Sequence, residues 1–324
     1  MVSRREMLLA LATGAVAMHR RMTGVSASDA QASDTPVNFP VPRGACDCHV
    51  HVFGDVARFP MSPERGYTPP PAPVEGVREL VRALHMTRVV IVSASVYGTN
   101  NDCALDAIQQ LGPRARGIGN IALDAPDAEL ERLQRGGIRG FRLNFEQQGT
   151  TEPAVAVERF RLASKRAAAM GWHLQVNTRL PIVEAMEEHV LAGPGTVVFD
   201  HFAQADAARG VDQPGFSSLV RLVKSGRAYV KVSAAYRSST RAPDYADVTP
   251  LAQALIAANP ERVLWGSDWP HPDGARRPRR SPTDLAPPLP VDDGRVLNQL
   301  AVWAPDAATR QKILVENPAR LYGF

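Results

Sequence analysis

The chain has 324 residues, 44% hydrophobic and 22% charged, enough to bury one barrel-sized core or two ordinary ones. Its formal net charge of +4 is small for that length, which argues against a dedicated nucleic-acid binder with a concentrated basic face. The three cysteines, Cys46, Cys48 and Cys103, are odd in number with two of them two apart, which argues against a disulfide framework.

The first 32 residues read as an address rather than a fold. Ser3-Arg4-Arg5 precedes an apolar run from Met7 to Met18, as long as the apolar stretch of a signal peptide and too short to span a bilayer. Ala30-Gln31-Ala32 offers a cleavage site, and the paired arginines resemble a twin-arginine (Tat) export signal. We therefore expect a Tat-like signal over 1–32, a linker over 33–43, one domain over 44–324 and a periplasmic product free of the membrane once the signal is removed. The alternative is a cytoplasmic protein with a misassigned start.

From Gly44 onward, short apolar runs alternate with helix-patterned segments. Strands are expected at Ala45–His51, Arg88–Ser95, Ala115–Ile121, Ile138–Leu143, Trp172–Val176, Thr196–Asp200, Ala228–Ser233 and Arg262–Trp265. Between them the pattern predicts helices, among them Val74–His85, Asp127–Arg135, Pro153–Met170, Pro181–Val190 and Asp247–Ala258. In the first, apolar residues at 74, 77, 80, 81 and 84 mark one face of a helix. Eight near-continuously apolar strands alternating with helices read as an α/β fold, a parallel (β/α)8 TIM barrel, with a doubly wound open sheet as runner-up.

The polar residues decide between these. His49 and His51, Arg142 and Asn144, Asn177, His201 and Asp268 all fall at or just past the carboxyl ends of strands, which is the catalytic face of a barrel. Two long proline-rich stretches, Phe53–Pro73 and Asp273–Asp293, follow the first and last strands and would be neighbours over the same mouth. Within the second, Arg276-Arg277-Pro278-Arg279-Arg280 lacks an aromatic platform for nucleic acid; it reads as a solvated loop, then as a cationic guard for an anionic substrate.

Residues i and i+2 of a strand share a face, so His49 and His51 aim two imidazoles at one spot. With His201 and Asp268, two kinds of centre are open. One is a mononuclear metal site, His49, His51 and Asp268 holding a zinc ion that activates water. The other needs no metal: Asp268 is the general base on water and the imidazoles hold a carbonyl oxygen. The Cys46-x-Cys48 pair is a further zinc candidate, although small buried thiols are the commoner use.

Several motifs now combine. Gly44–Gly54, Arg65-Gly66-Tyr67-Thr68-Pro69, Gly140-Phe141-Arg142-Leu143-Asn144-Phe145, Phe199-Asp200-His201-Phe202 and Gly266-Ser267-Asp268-Trp269-Pro270-His271 together resemble the amidohydrolase superfamily over residues 44–324. The likeness is to its branch of 2-pyrone-4,6-dicarboxylate lactonases, sulfomuconolactone hydrolases and D-galactarolactone isomerases. It implies a small-molecule carboxylated lactone as substrate, opened by water attack, with a lactone isomerase or a zinc-dependent decarboxylase as the alternative activity. It further implies that His49, His51 and His201 polarise a carbonyl or bind metal, that Asp268 is the base, and that Arg142 binds a carboxylate. Tyr67, Arg237 and His271 would be additional substrate contacts, His271 alternatively holding its own loop. Two departures matter. There is no lysine after the fourth strand and no histidine at the end of the fifth, so a two-metal centre is not expected. Dicarboxylate lactonases carry a second arginine soon after the one matching Arg142, but Phe145-Glu146-Gln147-Gln148-Gly149 supplies none, which favours a less charged lactone.

Overall fold

The computed structural model describes residues 35–272 and 281–324, so the expected export signal and the arginine cluster at 276–280 lie outside the described residues. Among these residues no helix is long and apolar enough to cross a membrane.

The strands are β1 (Cys46–Val50), β2 (Arg88–Val92), β3 (Ala115–Asn120), β4 (Ile138–Asn144), β5 (His173–Asn177), β6 (Val197–Phe199), β7 (Ala228–Ser233) and β8 (Val263–Gly266). They form one parallel sheet in sequential order β1 to β8. The helices that follow them in turn are α1 (Val74–Ala83), α2 (Asp102–Leu111), α3 (Asp127–Arg135), α4 (Pro153–Ala169), α5 (Leu180–Ala192), α6 (Phe216–Lys224), α7 (Thr249–Ala258) and α8 (Asp293–Trp303). This is the (β/α)8 barrel that the alternation predicts. Strands covered on both faces have no solvated side, which is why they read as runs of apolar residues rather than as alternating ones. Val74, Val77 and Leu80 of α1 are buried, as its one-faced pattern requires.

The seam between β1 and β8 closes through a few bonds at the carboxyl end. His49 O accepts from Asp268 N at 2.9 Å, and His51 N donates to Trp269 O at 2.8 Å. Asp47 Oδ1 accepts from the backbone N–H groups of both His49 and Ser267, at 3.0 Å each, tying the two strands together. Gly266 permits this approach, because a Cβ there would lie 2.8 Å from His49 Cβ and His49 N.

Strand ends differ from expectation where side chains take over the backbone's partners. β2 ends at Val92, three residues early; Ser93 O accepts from Asn120 Nδ2 (3.1 Å) and Arg142 Nη1 (3.3 Å), and a short helical turn, Ser95–Tyr97, follows. β4 and β5 run one residue further than expected, where Asn177 Nδ2 donates to Asn144 Oδ1 at 3.0 Å across the register. The helix expected from Asp247 begins at Thr249, after a 3-10 turn over Ala246–Val248.

The two long loops meet over the mouth as expected of adjacent strands: Ala286 N donates to Thr68 O at 2.7 Å and Thr68 Oγ1 to Pro282 O at 2.6 Å. The start of the expected linker docks on α8, with Asn38 N donating to Asn298 Oδ1 at 2.8 Å and Asn298 Nδ2 to Pro36 O at 3.0 Å. Cys46 and Cys48 belong to an apolar cluster with Val90, Val92, Ile118, Val198, Leu264 and Tyr322, and all three cysteines are free thiols.

Candidate active site

Three imidazoles converge on one oxygen. The Nε2 atoms of His49, His51 and His201 lie 3.6, 3.4 and 3.7 Å from Asp268 Oδ1. His49 and His51 come from the end of β1, where the register with β2 shifts between Asp47 and Val50. His201 and Asp268 follow β6 and β8 directly, both with left-handed backbone, at φ 51° and 65°. Such conformations cost non-glycine residues roughly 1–3 kcal/mol each and persist only where the surroundings impose them. Of the four convergent residues, His201 and Asp268 are thus held in strained backbone, whereas His49 and His51 are not.

The two oxygens of Asp268 differ in environment. Oδ2 accepts from Tyr236 Oη at 2.5 Å and from Arg237 Nε at 2.9 Å, and Arg237 Nη2 is ion-paired with it at 2.9 Å. Oδ1 is buried and has no hydrogen-bond partner among the described residues, and the same is true of His49 Nε2. Burial by itself would raise the Asp268 carboxyl, but Arg237 and the imidazoles outweigh it and hold it well below the usual carboxylate range. Burial drives His201 down to about 4 against the pull of Asp268 and Asp200. His49 is likewise held well below its ordinary value, by burial first and Lys231 second. At neutral pH the centre is thus an ionised carboxylate facing neutral His49 and His201.

Buried polar atoms without partners need a bridging group. A metal ion fits the donor chemistry: His49, His201 and Asp268 offer ligand atoms all within 4.8 Å of one another, two nitrogens and a carboxylate oxygen of the kind zinc takes. The metal set expected from the sequence named His51 in place of His201; His51 Nε2 meets the same Asp268 oxygen, while its Nδ1 is 2.8 Å from Val92 O. A water or a substrate oxygen fits the same gap, since neutral imidazoles donate or accept as their tautomer dictates.

Above this centre opens a cavity of about 260 Å³, lined by His51, Tyr67, Ser95, Arg142, Asn144, Glu146, Gln147, Asn177, Arg179, His201, Gln204, Arg237, Asp268 and Pro272. Arg142, Tyr67 and Arg237 therefore all reach it. Arg142 is buried, its Nη1 donating to Ser93 O and its Nη2 3.7 Å from Asp200 Oδ2, while its Nε has no partner among the described residues. Burial pushes the Tyr67 hydroxyl up to about 12, so it remains a donor. The far wall is a chain of carboxamides, Gln204 Nε2 donating to Asn177 Oδ1 at 3.2 Å and Asn177 Nδ2 to Asn144 Oδ1 at 3.0 Å. At the rim, Arg179 Nε donates to Glu146 Oε2 at 2.7 Å, so one charge cancels the other. His271 is not among the lining residues. Its Nε2 lies 3.2 Å from Asp293 Oδ2 at the start of α8, and its ring stands edge-on to Tyr236, so it holds the loop after β8 and the tyrosine that bonds Asp268.

Sequence reasoning passed over the layer beneath. Lys231 of β7 is wholly buried, with Nζ 2.7 Å from Gln175 Oε1, 3.3 Å from Asp200 Oδ1 and 3.3 Å from His49 Nδ1. Burial would raise the Asp200 carboxyl, yet Lys231 and His49 hold it well below the ordinary range. The signal was present: Lys231 is the lone charge in the apolar run Ala228–Ser233, and a buried charge needs partners.

The amidohydrolase family model matches residues 46–324, and the chain belongs to that family. Among curated relatives, the 4-sulfomuconolactone hydrolase of Rhizobium radiobacter is 36% identical over 90% of this chain and 94% of its own length. A 2-pyrone-4,6-dicarboxylate hydrolase of Comamonas testosteroni is 34% identical over 91% and 95%. The D-galactarolactone isomerase of Agrobacterium fabrum is 28% identical over 90% and 94%. Of solved structures, an apo protein from Agrobacterium tumefaciens superposes with a TM-score of 0.74 at 26% identity, covering 90% of this chain and 99% of that one.

Proposed function

We propose that this enzyme opens a carboxylated lactone by attack of water on the ring carbonyl. The observation that carries the reading is the single unpartnered oxygen of Asp268, aimed at three imidazoles beneath a cavity that holds an arginine. Because Oδ2 is saturated, Oδ1 is the oxygen free to take a proton. Water bonded to Oδ1 attacks the carbonyl carbon, its proton passes to Asp268, and the N–H groups of His49 and His201 stabilise the oxyanion. Collapse of the tetrahedral adduct breaks the ring C–O bond, and Asp268 returns the proton to the leaving oxygen. Arg142, with an unpartnered Nε, anchors the substrate carboxylate through parallel hydrogen bonds. Tyr67 and Arg237 border the same ligand. A divalent ion such as zinc, held by His49, His201 and Asp268, would polarise the carbonyl and acidify water.

The cavity volume suits one ring with its substituents, and among the described residues the Arg179–Glu146 pairing cancels two charges at the rim. Both favour a singly charged sugar-acid or muconate-type lactone. An isomerase would use the same residues with a substrate hydroxyl in place of water, and one relative bears that name. Carboxylated lactones screened by acid release, with Asp268→Asn as control, test the activity. Turnover in 18O-water separates the two reactions: label in the product marks hydrolysis, and unlabelled product marks isomerisation. We further propose export through the twin-arginine signal Ser3-Arg4-Arg5; an Arg4→Lys/Arg5→Lys chain should then be retained in the cytoplasmic fraction.

A further inference from the structure

The reading above leaves open whether His49 meets the substrate as a hydrogen-bond donor or as a metal ligand, and its neighbours on the far side of the ring decide it. An ammonium has three hydrogens and no lone pair, so Lys231 can only donate. Its Nζ is wholly buried and has three acceptors in reach: Gln175 Oε1, Asp200 Oδ1 and His49 Nδ1. The rival arrangement has His49 Nδ1–H donating to Asp200 Oδ1, also 3.3 Å away. That contact lacks hydrogen-bond geometry, since Asp200 Oδ1 is without a hydrogen-bond partner among the described residues, whereas the Lys231–His49 contact has it. A neutral imidazole has one N–H. If Nδ1 accepts from Lys231, the hydrogen is on Nε2, the atom aimed at Asp268 Oδ1.

We infer that Lys231 is a positioning residue that holds His49 in its Nε2–H tautomer, making it a donor to the reacting carbonyl oxygen and a reluctant metal ligand. Joining a metal through Nε2 requires the lone pair there. His49 must first give up the Lys231 bond and turn its hydrogen onto Nδ1, toward Asp200. His51 is the opposite case. Its Nδ1 lies 2.8 Å from the carbonyl Val92 O, which can only accept, so the Nδ1–H is fixed and, in the neutral ring, Nε2 carries the lone pair. The two imidazoles of the H-x-H pair are thus wired as a donor and an acceptor. This arrangement suits a water between them, accepting from His49 and donating to His51, better than a cation shared by both. The inference rests on the proposed lactone chemistry only for what the donor is used for.

The test reads the tautomer directly and does not depend on turnover. Long-range 1H–15N correlation of histidine-labelled, metal-free protein, with His49→Gln to assign the ring, should show Nε2–H for His49. In Lys231→Met, a side chain of similar length without donors, His49 should switch to Nδ1–H. Zinc affinity, measured by competition with a chromophoric chelator, should then rise about tenfold or more. A wild-type His49 carrying its hydrogen on Nδ1 overturns the inference without recourse to any variant. So does a Lys231→Met protein in which the tautomer stays on Nε2. If no lactone is turned over but the tautomers are as stated, the wiring stands and the proposed reaction fails.

Discussion

Replacing Asp268 by asparagine removes one proton acceptor and one charge while keeping the shape. Oδ2 accepts two hydrogen bonds, from Tyr236 Oη and Arg237 Nε, and is ion-paired with Arg237 Nη2. An amide oxygen can take over both hydrogen bonds, which turns the new NH2 toward the three imidazoles and leaves nothing there to receive a proton. Loss of a general base costs about 10²–10⁴ in rate, or about 2.7–5.4 kcal/mol of transition-state stabilisation. Asp268→Ala should lose at least as much activity but should also strand the largely buried Arg237 guanidinium, at about 3–5 kcal/mol of fold stability. The asparagine variant, which keeps neutral hydrogen bonds, should lose about 1–2 kcal/mol. Steady-state hydrolysis of the best lactone and urea unfolding of both variants check this. An Asp268→Asn enzyme within tenfold of the parent in kcat/KM refutes the assignment of the base. Equal destabilisation of the two variants refutes the argument that Oδ2 is the structural oxygen and Oδ1 the chemical one.

Other expectations follow from the same geometry. Arg142→Gln should raise KM for a carboxylated lactone by about 30–100-fold, a charge-assisted pair of bonds lost, with a smaller change in kcat; an unchanged KM would place the substrate carboxylate elsewhere. The rate should hold from neutral pH down to about 5 and fall with a midpoint near the pKa of His201, about 4, because protonation removes a neutral imidazole from the centre. In stability the sign is the same. With His201 held at about 4 and His173 at about 3, the unfolded chain takes up protons first, so stability should fall as pH drops from 6.5 toward 3 in acid-unfolding curves. Asp47 works in the other direction, because burial raises its carboxyl to about 7 and the folded seam binds the proton more tightly. Its stabilising contribution is present below about pH 4 and lost as pH rises through 7. Asp47→Asn should therefore gain on the parent as pH rises from 5 to 8, by about 2.7 kcal/mol; a constant difference across that range, by urea unfolding, would contradict it.

The barrel and the position of its site were legible because both follow from one-dimensional rules. Strands buried on both faces must be apolar along their length, so eight such runs stood out, and a polar residue at the end of one has a reason to be there. His49, His51, Arg142, His201 and Asp268 stood out in this way, and their convergence at one end of the barrel needed only parallel strands. Lys231, Asp200, Gln175 and Tyr236 were not given roles, because their meaning lies in pairs 25 to 182 residues apart along the chain. Nor could spacing show that Asp268 faces guanidinium and phenol on one oxygen and imidazoles on the other, or that His271 props a loop. The sequence by itself determined the architecture, the catalytic face and most of the residues that reach it. Only the tertiary structure decided which atom of each residue does what, since a hydrogen-bond partner on the far side of a ring or carboxylate sets its free face, and that partner comes from another strand.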